Sequence, residues 1–375
     1  MHPTHPRYAP PHAVLPTPKS GRRLPLVLGA TAVGLSLAAW YLVRPAPAQP
    51  LNPHSYTPAL ITTHTHPTPR TSLIRIRLTD PAPPPGPFYA LWIKSPQVQI
   101  ERPYTPLRGL EGPEGVEGGE GAEGREVELW VKHEDGGEVS RYLGGKRAGE
   151  GIEVRGWTPT LQWEDKAWDE VVMISGGTGI APFYQLLHHL FLRSRSPSPS
   201  QPPPPSTRPR FTLLHGSLSP SELPPSEILG PLVELQRREP DRFRLRLFVD
   251  RLMDGAGAMG AGQEAEVEVA GQRLPLTVGR IRREDLVDAV RPSHSPPPPP
   301  SPSWRGLLSS FFPASSRAPP AQGEKGKGKK VLFLVCGPEP MVEAYAGPRA
   351  RDLSEGEVGG VLGGMGYGRG EVRKL

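Results

Sequence analysis

The stretch Val171 to Phe183, VVMISGGTGIAPF, leaves this chain few folds to choose from. A short unbroken apolar run reads as a strand buried on both faces, the kind that sits in a parallel sheet covered by helices. Gly176-Gly177-Thr178-Gly179 follows, and then a helix begins near Pro182, a residue tolerated in a first helical turn. Glycines let the backbone approach a ligand closely, and free N–H groups at a helix start attract an anion, so a phosphate suits this turn. It is not the GxGxxG fingerprint, because Pro182 takes the third glycine position. It is not a P-loop either, because no Lys-Ser/Thr pair follows. The competing reading is a plain tight turn.

The flanks differ in texture. Before it come PALITTHTH, TSLIRIRLT, FYALWIK, REVELWVKH and GIEVRGW, short runs rich in β-branched and aromatic residues and bounded by Pro and Gly. Several such strands without a helical period predict a small antiparallel barrel or sandwich. After Asp165 strands alternate with helices: WDEVVMI, APFYQLLHHLFLR, FTLLHG, SEILGPLVELQRR, FRLRLFV and finally VLFLV. That alternation predicts a parallel α/β sheet. The expected plan is a β domain over 57–165 and an α/β domain over 166–375.

Low-complexity segments interrupt the plan at 108–124, 194–209, 251–262 and 291–329. They hold much of the chain's 51 prolines and 43 glycines and cannot bury enough apolar surface to order themselves. Closing a longer loop costs little, so the fold tolerates them. The single cysteine, Cys336, excludes an intramolecular disulfide framework and a cysteine-rich zinc site, and no metal is expected.

A net charge of +6 invites a nucleic-acid reading, but its distribution does not support one. Eight cations precede the first acid, Asp80, so the chain from residue 80 onward carries −2. Residues 1–23 form an acid-free basic arm. Leu24 to Val43 is a run of twenty residues without a charge, long enough to span a bilayer core of about 30 Å. Trp40, Tyr41 and Arg44 close that run like an interfacial boundary. A retained single transmembrane helix at 24–43 is expected, with a Pro-rich tether over 44–56. Lys19, Arg22 and Arg23 keep the N-terminus on one side and send the domains to the other. A cleaved signal peptide and a buried core helix are the alternatives.

Two further motifs carry chemistry. In ERPYTPL, Arg102 offers a fork suited to phosphate, Tyr104 a flat ring and Thr105 a hydroxyl, while Pro103 and Pro106 hold the segment extended. A Pro-flanked edge strand with a surface tyrosine is the plainer reading. CGPEPM, Cys336 to Met341, turns away from the C-terminal end of a strand, the side on which ligands gather in open α/β sheets. Cys336 is expected to line that crevice. A thiol nucleophile would need a base, and nothing in the sequence sets His188, His189 or His215 beside it.

RPYTPL, GGTGIAP and CGPEPM, in that order on a β-then-α/β plan, resemble the ferredoxin–NADP reductase superfamily and, within it, the NADH–cytochrome b5 reductases. WVKHEDGGEVSRYL, DRFRLRLFVD and VGRIRRED resemble further segments of that family. The resemblance implies a six-stranded antiparallel FAD-binding barrel followed by a Rossmann-like parallel α/β NAD(P)-binding domain. It implies that Arg102 and Pro103 lie at the FAD pyrophosphate, Tyr104 on the isoalloxazine, and Thr105 and Lys132 near the flavin. Gly137, Val139 and Ser140 would wrap the pyrophosphate. Gly176, Gly177, Thr178 and Gly179 would form the nicotinamide-dinucleotide loop. Cys336, Gly337, Pro338 and Met341 would form the wall where nicotinamide meets flavin, with Thr105 and Cys336 closest to the chemistry. Trp157, Glu339 and a C-terminus without an aromatic residue depart from the family pattern. His215-Gly216-Ser217 offers no acid for a ribose, so the choice between NADH and NADPH stays open.

The implied activity is transfer of electrons from NADH or NADPH through FAD to a haem or haem protein of the cytochrome c or b5 type. The anchor, arm and VLGGMGY…VRKL tail look most like a fungal mitochondrial inner-membrane flavoprotein linked to haem attachment on cytochrome c. That implies catalytic domains in the intermembrane space; an outer mitochondrial or endoplasmic reticulum membrane facing the cytosol is the alternative. A membrane-tethered scaffold recruiting partners through its Pro-rich loops is the competing function, and a thiol enzyme built on Cys336 a third.

Overall fold

A computed structural model describes residues 51–79, 84, 86–110, 125–164, 167–192, 209–252, 264–290, 329–351 and 354–375. The arm, the expected transmembrane helix, most of the tether and nearly all of the four low-complexity segments lie outside the described residues. Among the described residues no helix is long and apolar enough to cross a membrane.

β1 (Thr57–Thr68), β2 (Thr71–Leu78), β3 (Tyr89–Ser95), β4 (Ile100–Tyr104), β5 (Arg108–Leu110), β6 (Arg125–Lys132) and β7 (Gly151–Pro159) form one antiparallel sheet in the order β4-β3-β7-β1-β2-β6-β5. Alternate residues point inward, so Ile61, Ile74, Ile76, Leu91, Ile93, Val127, Leu129 and Val154 fill one core. The two edge strands, β4 and β5, are separated only by residues 105–107. A sheet whose edges are joined by three residues must curl until they nearly meet, and the end of RPYTPL is that join. The sheet has seven strands where six were expected. The extra one, β5, opens the segment read as an insertion from 108: Arg108, Gly109 and Leu110 pair with Glu128, Val127 and Glu126. An open sheet edge recruits a partner in spite of the weak strand preference of that sequence. The helix α1 (Glu138–Gly144) covers β3 and β4 and buries Val139 and Leu143 in the same core.

The second sheet holds β8 (Glu170–Gly176), β9 (Arg210–Ser217), β10 (Phe243–Val249), β11 (Glu264–Val269), β12 (Gln272–Val278), β13 (Val331–Cys336) and β14 (Val372–Lys374), in the order β11-β12-β10-β9-β8-β13-β14. All neighbours are parallel except β11 and β12, an antiparallel hairpin on one edge. Every residue of β8 is buried, as its unbroken apolar run predicts. Its helices are α2 (Ala181–Leu187), α3 (Ser226–Arg238), α4 (Arg283–Val290), α5 (Glu339–Ala346) and α6 (Gly360–Gly364). The chain leaves β8 toward β9 on one side, whereas β13 flanks β8 on the other. The strand order therefore reverses between β8 and β13, the place where such sheets open a ligand crevice.

The described residues belong to one compact unit. Leu73, Phe88, Leu107 and Trp130 of the first sheet's outer face join Phe183, Tyr184, Leu187 and Phe211 in one apolar cluster. Gln185 of α2 pins the seam. Its amide oxygen accepts the Tyr89 N–H (3.0 Å), and its amide nitrogen donates to the carbonyls of Tyr89 (3.2 Å) and Pro106 (2.8 Å).

Candidate functional site

A crevice of about 400 Å³ opens at the C-terminal ends of the parallel strands. Gly176 and Gly177 form its floor at the end of β8, and Pro338, Pro340 and Met341 follow β13. Ser217 ends β9 and Glu222 follows it, Asp250 follows β10, and Lys132 reaches in from the first sheet. Gly177 has φ +52°, a conformation that L side chains rarely adopt, and a Cβ built there would meet nothing within 4 Å, so the space above the turn is open. Gly179 is the opposite case. A Cβ there would lie 2.6 Å from the Cys336 carbonyl carbon and 2.7 Å from the Gly337 nitrogen, so only glycine lets the two turns touch. Thr178 is half-buried beside them. The turns of GGTGIAP and CGPEPM thus form one surface.

The far wall carries charge in pairs. Glu222 lies 3.2 Å from Lys132, and Asp250 lies 3.8 Å from the exposed Arg280. Behind this wall the imidazole of His215 is fully buried between Ser175 (2.8 Å) and Ser217 (3.1 Å), and desolvation pushes its pKa down to about 3.

Cys336 stands half-buried at the end of β13, in the turn that meets Gly179. It packs, as Leu375 does, on the apolar cluster shared by the two sheets. Strand alternation sets this side chain on the face of β13 that carries Leu332 and Leu334, and the backbone of the residue meets the glycine turn. Burial pushes its thiol up to about 12 against the pull of Arg349, so it stays protonated. The tail, expected only to lack an aromatic end, pairs as β14 with β13, and the Leu375 N–H donates to the Val335 carbonyl (2.9 Å).

On the first sheet, Glu101 is gripped by Arg155 (2.6 Å) and bonded by Tyr56, which holds its carboxyl below the usual range and fixes β4 against β7. Arg102, on the opposite face, is exposed. Among the described residues its recorded hydrogen bond is to the adjacent Glu101 carbonyl (2.8 Å), and the rest of its fork is unused. Pro103 is exposed, Thr105 half-buried, and Tyr104 packs on the barrel core, where burial raises its pKa to about 12. The turn before α1 lies on the same end of the sheet. Ser140 Oγ donates to the Gly137 carbonyl (3.0 Å) and accepts the Glu134 N–H (3.3 Å), which shapes that turn around Val139. Trp130 Nε1, buried on the face of β6 that also carries Lys132, has no hydrogen-bond partner among the described residues. A free arginine fork, a hydroxyl-braced turn and an orphan buried donor fit a flavin dinucleotide.

No protein-family model matches the chain. Among curated proteins, it is 25% identical over 250 residues to NADH-cytochrome b5 reductase 2 of Kluyveromyces lactis, which covers 67% of this chain and 62% of that protein. The chain is similar to the NADH-cytochrome b5 reductases. A reductase of the same name from Saccharomyces cerevisiae is 23% identical over 77% of this chain and 70% of its own length. An uncharacterized FAD-binding protein of Schizosaccharomyces pombe is 31% identical over 44% of this chain. The chain thus spans a little under two thirds of the length of the Kluyveromyces protein. The fold is that of the cytochrome b5 reductase domain of Ulva prolifera nitrate reductase, at a TM-score of 0.53 over 87% of this chain and all of that one, with 18% identity.

Relative to these reductases, the structure divides the predicted residues into two groups. Lys132, Gly176, Gly177, Pro338 and Met341 line the crevice, with Thr178, Gly179, Cys336 and Gly337 in the turns that build it. Arg102, Pro103, Tyr104, Thr105, Gly137, Val139 and Ser140 gather instead at the open end of the first sheet. The sequence reading missed Glu222, Asp250 and Gln185. The only local trace of the first is an acid inside the turn SLSPSELPP; its place opposite Lys132 is a tertiary fact.

Proposed function

We propose that the chain is an FAD-dependent oxidoreductase that takes electrons from NADH and passes them to a haem protein of the cytochrome b5 or c class. The observation that carries this reading is the union of the GGTGIAP and CGPEPM turns at the strand-order reversal, with Lys132 of the barrel facing them. Bound FAD would supply the hydride acceptor and the one-electron steps. The chain's own residues bind and orient. Arg102 and the turn Gly137–Ser140 hold a pyrophosphate, and Tyr104 and Thr105 line the ring edge. Gly177 admits the second dinucleotide, and Gly179 fixes how near it lies to Cys336 and Gly337.

NADH suits the crevice better than NADPH. A carboxylate accepts a hydrogen bond from a ribose 2′-hydroxyl and repels a 2′-phosphate, and Glu222 and Asp250 both face the cavity. The uncharged run 24–43 supports a single membrane anchor, with the domains in the mitochondrial intermembrane space and a role in haem attachment to cytochrome c as the narrower proposal. The deciding experiment is to purify the full chain in detergent, record its flavin absorbance, and add NADH under anaerobic conditions. Bleaching of a yellow protein supports the reading, and a folded, colourless protein that never takes up FAD sinks it.

A further inference from the structure

The hydrogen bonds around His215 admit one proton arrangement. Ser217 Oγ donates its single hydrogen to the main-chain carbonyl of Glu222 (3.2 Å). It must therefore accept from His215, so the ring carries its proton on Nε2 (3.1 Å). The free Nδ1 then accepts the hydroxyl hydrogen of Ser175 (2.8 Å). The chain Ser175–His215–Ser217–Glu222 runs from the last position before the glycine turn to the acid on the far wall. Ser175 itself pairs in register with Cys336 on one side and His215 on the other, and the ring ties the end of β8 to the end of β9. Glu222 ends the short turn Pro220–Glu222, and its carboxylate reaches Lys132 across the crevice.

We propose that His215 is a positioning residue for the ribose wall. It holds Ser217 and the Glu222 backbone where the Glu222 carboxylate meets a ribose 2′-hydroxyl, and so sets the preference for a dinucleotide without a 2′-phosphate. This rests on the dinucleotide reading above. A histidine that merely fills the core would contribute to folding and leave the ligand preference unchanged.

The two nitrogens can be tested apart. In the full-length protein, His215→Gln keeps an amide donor near the Nε2 position and so keeps the bond to Ser217. His215→Asn places its amide near Nδ1 and keeps only the Ser175 side. Binding of ADP-ribose and of its 2′-phosphorylated analogue is measured by calorimetry, with thermal melting as the folding control. The expected result is near wild-type ADP-ribose affinity for Gln and about a tenfold loss for Asn, equivalent to ~1.4 kcal/mol. The 2′-phosphorylated analogue should change less than about twofold, the size expected if only the ribose contact is lost. The assignment is overturned if Gln and Asn variants that melt alike also bind ADP-ribose alike, or if both ligands weaken in parallel. If the wild-type protein binds neither ligand, the dinucleotide reading falls first, an outcome distinct from either of these.

Discussion

Replacing Gly179 by alanine tests the glycine turn most sharply. The new methyl would sit 2.6 Å from the Cys336 carbonyl carbon and 2.7 Å from the Gly337 nitrogen, against an ordinary contact of 3.4 Å or more. Both obstacles are backbone, so neither can rotate away, and the two turns must part by about 1 Å. Misplacing reacting groups by 1 Å costs about 10²-fold in rate. Anaerobic stopped-flow reduction of the bound flavin by NADH should therefore slow by about that factor, while the flavin, held at the other end of the first sheet, stays bound. Gly271→Ala, in the turn between β11 and β12 and outside the crevice lining, is the control: its methyl meets nothing within 4 Å, and its φ of +76° costs only about 1–2 kcal/mol of backbone strain. Flavin reduction in Gly179→Ala within about twofold of wild type would refute the claim that contact between the turns sets the reacting distance.

Other outcomes follow from the buried polar groups. Gln185→Leu removes the three hydrogen bonds to the Tyr89 N–H and to the Tyr89 and Pro106 carbonyls, and at ~1 kcal/mol each urea denaturation should show a loss of about 3 kcal/mol. Cys336 should react much more slowly with iodoacetamide than a free thiol at about pH 8, with a rate that still climbs about tenfold per pH unit through about pH 9 without levelling, because its pKa raised to about 12 keeps thiolate scarce there. His215 is depressed from 6.5 to about 3, so the unfolded chain takes up a proton that the folded chain refuses. Its stabilising contribution is complete above pH 6.5 and declines as pH falls toward 3; pH-dependent melting of His215→Gln should lack that part of the decline.

Most of the second sheet could be read from sequence because its strands are continuous apolar runs and α3 has a clear helical period. β11 escaped notice even though Glu264, Glu266 and Glu268 alternate with Ala265, Val267 and Val269 in strand fashion; it borders a Gly/Ala-rich segment that reads as loop. β5 has no local signal at all and exists because β6 offers a free edge. The floor of the crevice was legible in GGTGIAP and CGPEPM. Its far wall was not, since Glu222 gains meaning only through Lys132, 90 positions earlier. For Cys336 the strand end was legible in CGPEPM, whereas its packing on the cluster shared by the two sheets was not.

The seam has a consequence for how such a protein can be divided and recombined. Leu73, Phe88, Leu107 and Trp130 have no cover of their own, and α2 with Phe211 provides it. A chimera that exchanged one sheet for a foreign counterpart would expose that apolar strip to water, and with it the three backbone groups that Gln185 satisfies. The two sheets are therefore inherited as a matched pair, and drift in one is bounded by the surface of the other.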